Sequence, residues 1–130
     1  MEDFKSERFS IRKRLRSFRY AFDGLRILFR EEHNARIHLV VSVCVILMGV
    51  VFNISVAEWL AICILIGLVF SLEIINSAIE NLCDYISPQR HDIIKKVKDM
   101  AAAAVLVATI MSVVCGLIIF VPKLYNLICQ

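Results

Sequence analysis

The pattern of apolar and polar positions divides the chain into one amphipathic stretch and three apolar ones. Between residues 10 and 30 the side chains Ile11, Leu15, Phe18, Phe22, Leu25 and Phe29 recur in steps of four and three. On a helix that spacing gathers them into one narrow stripe, with Arg12, Arg16, Arg19 and Arg30 to one side. An apolar stripe beside basic residues predicts a helix lying in a membrane interface. Ser10 stands where it can cap the start, and Gly24 interrupts the pattern at some cost in helicity.

Residues 37–56, 59–86 and 99–121 each supply the ~20 helical residues that cross a ~30 Å hydrocarbon core. The expectation is an all-α membrane protein, an N-terminal surface helix followed by three transmembrane helices, in a single membrane-embedded domain over residues 1–130. The first span begins behind a long charged segment, so it does not read as a cleavable signal peptide.

Composition agrees. Of the 130 residues 59% are hydrophobic and 21% charged, and the mean hydropathy of +0.74 is too high for an ordinary soluble domain. Four glycines and two prolines exclude a fibrous or disordered chain. Cys44, Cys63, Cys83 and Cys115 lie in apolar runs and read as buried free thiols, not a disulfide scaffold.

Charge sets an expected topology. Ten of the fifteen Lys and Arg precede the first span, from Lys5 to Arg36, and Arg90, Lys95, Lys96 and Lys98 follow the second, whereas the first hairpin has none. By the positive-inside rule the N-terminus and the second loop face the cytoplasm. The net charge of +3 belongs to topology and anionic headgroups, and no base-reading motif accompanies it to indicate nucleic acid.

The second span carries the chemistry. Glu73, Asn76, Ser77, Glu80 and Asp84 sit at i, i+3, i+4, i+7 and i+11, within roughly 100° of arc on an α-helix. A carboxylate at mid-membrane costs roughly 2.5–3.5 kcal/mol, and like charges on one face repel unless a cation or protons intervene. Carboxylates with amide oxygens suit Mg²⁺, which shares its shell with substrate phosphates. Glu32, just outside the first span, adds a second carboxylate within reach of an ion held by Glu80. Lys98 and Asp99 open the third span, and the four alanines after Met100 let helices approach, which should bring both residues against the acidic stripe. Gln89, Arg90 and His91, in the second loop, read equally as solvated residues or as nucleotide contacts. From the residues alone a non-enzymatic small membrane subunit, holin-like or transporter-accessory, is the alternative to an enzyme.

The run EIINSAIENLCD, followed after a short loop by KDMAAAAVL, resembles the paired signature of the bacterial diacylglycerol kinase and undecaprenol kinase family, small integral-membrane lipid kinases. The likeness extends from about residue 20 to residue 106, and RSFRYAFDGL and EEHNARIH look more like the undecaprenol kinase branch. The resemblance implies phosphorylation of a membrane lipid alcohol, undecaprenol or diacylglycerol, by ATP with Mg²⁺ at the bacterial inner membrane. It makes Glu73 the catalytic base and Glu32 and Glu80 the metal-binding carboxylates. It places Asn76, Lys98 and Asp99 around the phosphates, and Tyr20 and His91 at the nucleotide, with Ser77 and Asp84 in support. Lys13 stands where the diacylglycerol branch has an Arg near the nucleotide, and Ala101 and Ala102 where it has Gly and Ser. A homotrimer with sites shared between protomers is also implied. Gly24, Gly49, Gly67 and Gly116 fit neither a Walker loop nor a protein-kinase glycine loop, so side chains and metal would hold the phosphates.

Overall fold

The computed structural model of the chain describes residues 8–130, so Lys5 of the charge count lies outside the described residues. Four helices follow one another: α1 (Ile11–Glu31), α2 (His33–Val51), α3 (Val56–Ile86) and α4 (Asp92–Ile128). No strand occurs among the described residues. This is the all-α architecture that the pattern predicts, an amphipathic helix ahead of three that are long and apolar enough to cross a membrane.

On α1 the apolar stripe is uncovered by protein over most of its length, and Phe18 and Phe22 are 65% and 69% exposed. That suits a helix whose apolar face meets lipid. Ser10 is the N-cap residue, yet its side chain makes no capping hydrogen bond. Gly24 does not break the helix, because one unfavourable residue of about 1 kcal/mol is outweighed by the continuous hydrogen bonding on both sides.

The junction between α1 and α2 is a single extended residue, Glu32, with φ −104° and ψ 115°. Arg36 folds back over it, its Nε donating to the Phe29 carbonyl at 2.7 Å and its Nη2 to the Arg30 carbonyl. Two carbonyls orphaned at the end of α1 are thereby satisfied by one planar guanidinium. Leu28 and Ala35 are buried in the corner, and the ring of Phe29 lies 5.8 Å from that of Phe70 on α3. The elbow is therefore tied to α3.

The opposite end of the bundle is closed by a tight turn. Asn53 takes a φ of 49°, a left-handed conformation that asparagine tolerates better than most residues. Ser55 and Glu58 then form a reciprocal capping box that starts α3 at Val56, so the expected first span, residues 37–56, is cut short: α2 ends at Val51, and the turn and its cap take up 52–55. Ile54, Ile62, Ile119 and Phe120 form the buried core here, with the ring of Phe52 packed at a tilt of 57° to that of Phe120.

Helices α3 and α4 are antiparallel neighbours whose register is pinned at both ends by ion pairs. Lys98 bonds Asp84 at one end, and Lys123 lies 3.0 Å from Glu58 at the other. The partners are separated by 26 residues on α3 and 25 on α4, so the helices run in step between them. His91 caps α4 by accepting the Ile93 N–H at its Nδ1, and the helix therefore starts well ahead of the apolar run. The thiols depart from expectation: Cys83 is buried, but Cys44 and Cys63 are exposed. An apolar position on a spanning helix faces lipid as readily as protein, so hydropathy does not report burial here.

Candidate active site

Along α3 the polar stripe forms a gradient of burial. Glu73 is 2% exposed and Ser77 6%, Asn76 and Glu80 are half-buried, and Asp84 is exposed. A buried carboxylate persists only with partners. Glu73 finds one across the helix interface, where Nε2 of His38 on α2 lies 3.3 Å from its Oε1. Ser77 donates its hydroxyl to Oε1 of Glu32 at 3.1 Å, so the elbow carboxylate is fastened to the stripe one turn from Glu73. Glu80 stands two turns from Glu73 on the same face of α3.

The loop between α3 and α4 adds a polar depression of about 370 Å³ at the outer end of the stripe. Its wall includes Asp84, Gln89, Arg90, His91, Lys98 and Asp99, so five of the expected nucleotide-binding residues share one surface hollow. Lys98 projects to Asp84, as expected of a cation brought against the stripe. Asp99 does not meet the stripe: it pairs with Lys95 on its own helix at 2.6 Å. The two adjacent residues have different partners, Lys98 turning to α3 and Asp99 to the preceding turn of its own helix. Lys13 and Tyr20 are exposed on α1 and do not line the hollow.

A small divalent cation fits the oxygen donors between the hollow and Glu73. The Asn76 Oδ1 is buried with no hydrogen-bond partner, Glu80 stands one turn further along the same face of α3, and Glu32 is held from the elbow to the neighbouring Ser77. An orphaned carbonyl oxygen among carboxylates is an oxygen-ligand set of the kind that Mg²⁺ takes. Among the described residues no group of three His, Cys, Asp or Glu gathers as a complete cage. Such a partial set suits an ion that completes its shell with phosphate oxygens and water.

His38 is the residue whose place the sequence pattern did not single out. In EEHNARIH it looks like one interfacial polar residue among several, and only the packing of α2 on α3 sets it against Glu73. Its sequence signal was its position two residues inside the first apolar run.

The sequence profile of prokaryotic diacylglycerol kinase matches residues 19–120, which include every site candidate but Lys13. The chain is 38% identical over 122 residues to the undecaprenol kinase of Bacillus subtilis (strain 168), covering 94% of this chain and 99% of that one. It is 34% identical over 112 residues to a diacylglycerol kinase of Synechocystis sp., covering 85% and 64%. With the diacylglycerol kinase of Escherichia coli (strain K12) it shares 30% identity over 95 residues, covering 73% and 78%.

Proposed function

Since the chain belongs to the prokaryotic diacylglycerol kinase family and is a membrane lipid kinase, we propose that it moves the γ-phosphoryl group of ATP to the hydroxyl of a membrane lipid alcohol with the help of Mg²⁺. The observation that carries this reading is the alignment along one face of α3 of a buried carboxylate, Glu73, with the unpartnered Oδ1 of Asn76 and with Glu80, leading to a hollow lined by Arg90, His91 and Lys98. Between undecaprenol and diacylglycerol, the end-to-end match with the undecaprenol kinase supports the former.

In this mechanism Lys98, held by Asp84, and Arg90 neutralise the phosphates, while Gln89, His91 and Asp99 contact the nucleotide from the rest of the hollow. The family resemblance assigns Tyr20 and Lys13 to the nucleotide as well, and both stand exposed on α1, outside the hollow. Glu32, Glu80 and Asn76 would hold Mg²⁺, which would supply positive charge to offset that of the phosphates. Glu73 takes the proton as the acceptor O–H breaks, the oxygen joins the γ-phosphorus, and ADP leaves with the bridging oxygen. His38 keeps that carboxylate oriented, and Ser77 does the same for Glu32. Positioning and charge neutralisation suffice for phosphoryl transfer, so no glycine-rich loop is required.

The Lys and Arg bias supports a cytoplasmic position for the N-terminus, the elbow and the hollow, at the bacterial inner membrane, where ATP is available. The uncovered apolar faces of α2 to α4 are shared between lipid and further copies of the chain in a homotrimer.

The test is phosphate transfer from γ-labelled ATP by the purified protein in lipid micelles, with undecaprenol and diacylglycerol side by side. Labelled lipid phosphate that requires both Mg²⁺ and acceptor is expected. A non-enzymatic subunit gives no acceptor-dependent label, and that result overturns the reading.

A further inference from the structure

Beneath Glu73 an apolar groove of about 320 Å³ runs between α2 and α4 over the floor of α3. His38 forms its head, and Met48, Ile62 and Phe120 its foot. From His38 to Met48 is ten residues of α2, about 15 Å at ~1.5 Å each. The antiparallel register of α3 and α4 puts Thr109 level with Glu73, and Gly116 lies seven residues, roughly 10 Å, further down.

Three hydroxyl side chains line the groove, and none offers a free donor. Ser42 donates to the His38 carbonyl at 2.6 Å, Thr109 to Val105 at 2.8 Å and Ser112 to Ala108 at 2.8 Å. With their hydrogens turned into their own helices, the walls meet an occupant as hydrocarbon. An ester carbonyl buried there would lose its hydrogen bonds to water and gain none. The polar group at the end of the groove is His38, which touches the buried Glu73. The shape is therefore that of an unesterified alcohol, hydroxyl up and hydrocarbon down.

We propose that this groove seats the first 15 Å or so of the acceptor's chain, that it selects a single-chain isoprenoid alcohol over a diester, and that Gly116 sets its usable depth. The proposal rests on the lipid-kinase reading above and adds the place and the selection rule. Gly116 lines the groove, and a Cβ built on it meets nothing within 4 Å, so a side chain there projects into open space and leaves the packing alone.

Two measurements test it. In the first, the wild-type protein in phosphatidylglycerol vesicles is photolabelled with a polyprenol that carries a diazirine in its second isoprene unit, and the adduct is mapped. Adducts at Val45, Val113 or Gly116 are expected. Adducts confined to α1 or to the outer faces of the spans overturn the groove, even where the kinase reading holds. In the second, Gly116→Leu is compared with the wild type on a long polyprenol and a five-carbon prenol. The ratio of kcat/KM, long over short, should fall about tenfold or more, on the scale of one or two displaced methylenes, with Gly116→Ala between. An unchanged ratio rejects Gly116 as the depth determinant. Should the groove receive a helix of a second copy instead, Gly116→Cys in a chain whose own cysteines are serine would cross-link into dimers and exclude the lipid, against the proposal. Failure of the kinase reading looks different: wild-type protein transfers no label to any alcohol, whatever the photolabel touches.

Discussion

Glu73 and His38 meet at 3.3 Å across the α2–α3 interface, with the carboxylate 2% exposed and the imidazole at the head of an apolar groove. This contact joins the polar half of the protein to the greasy half. On the proposed reading it sets the reacting hydroxyl between the phosphate hollow and the hydrocarbon seat. The following expectations come from that relationship and from the contacts around it.

Replacing Glu73 by Gln keeps the shape of the side chain and removes the base. Turnover should fall by roughly two to four orders of magnitude, the usual scale of general-base catalysis, with ATP affinity nearly unchanged. Lys98→Met, which empties a cation from the hollow, should weaken ATP binding and turnover together. Equilibrium titration of nucleotide beside steady-state turnover decides. Equal loss of ATP affinity in both variants would move Glu73 into the nucleotide site.

His38→Leu leaves Glu73 buried without its partner, and His38→Gln restores an N–H donor of similar reach. The Leu variant should lose turnover at unchanged KM for ATP and melt at lower temperature, since an orphaned buried acceptor costs about 1–3 kcal/mol. The Gln variant should recover part of both. A Leu variant with wild-type kcat would remove His38 from any part in positioning the base.

Ser77 fixes Glu32 at 3.1 Å, so Ser77→Ala frees a carboxylate without deleting it. The half-saturating Mg²⁺ concentration should rise roughly tenfold, as for other residues that orient a ligand from behind. Glu32→Gln and Glu80→Gln should raise it further, and unchanged Mg²⁺ dependence in either would withdraw that residue from the metal.

How far the sequence reached is clear from particular residues. The stripe from Glu73 to Asp84 follows from helical period alone, because all its members share one face of one helix. The elbow at Glu32 and its fastening to Ser77 lie 45 residues apart, and the pairing of His38 with Glu73 spans 35, so both depend on how α2 lies against α3. No periodicity encodes that. Asp99 is a different case: Lys95 stands four residues before it on α4, and that ion pair is legible from the spacing alone. Hydropathy likewise marked the apolar runs but not where α3 and α4 begin, which is set by the Ser55 and His91 caps.

Gly49, two residues from the end of α2, tests the packing independently of the chemistry. A Cβ there would stand 2.6 Å from Cη2 and 2.9 Å from Cζ2 of Trp59, and 3.1 Å from Cδ1 of Ile54. The benzo edge of the indole occupies the space that a Cβ would take, which brings α2 and the start of α3 closer than any other residue permits. Gly49→Ala must therefore displace a ring or a helix, at about 1–3 kcal/mol for overpacking. Against this, alanine favours the helix by up to about 1 kcal/mol, so the net loss is smaller than the strain itself. Thermal unfolding of the purified protein in detergent should show a lowered midpoint for Gly49→Ala. In the Trp59→Leu background the same change should cost less or become stabilising, because the clash is gone and the helical preference remains. An equal loss in both backgrounds would mean that Trp59 does not lie against Gly49.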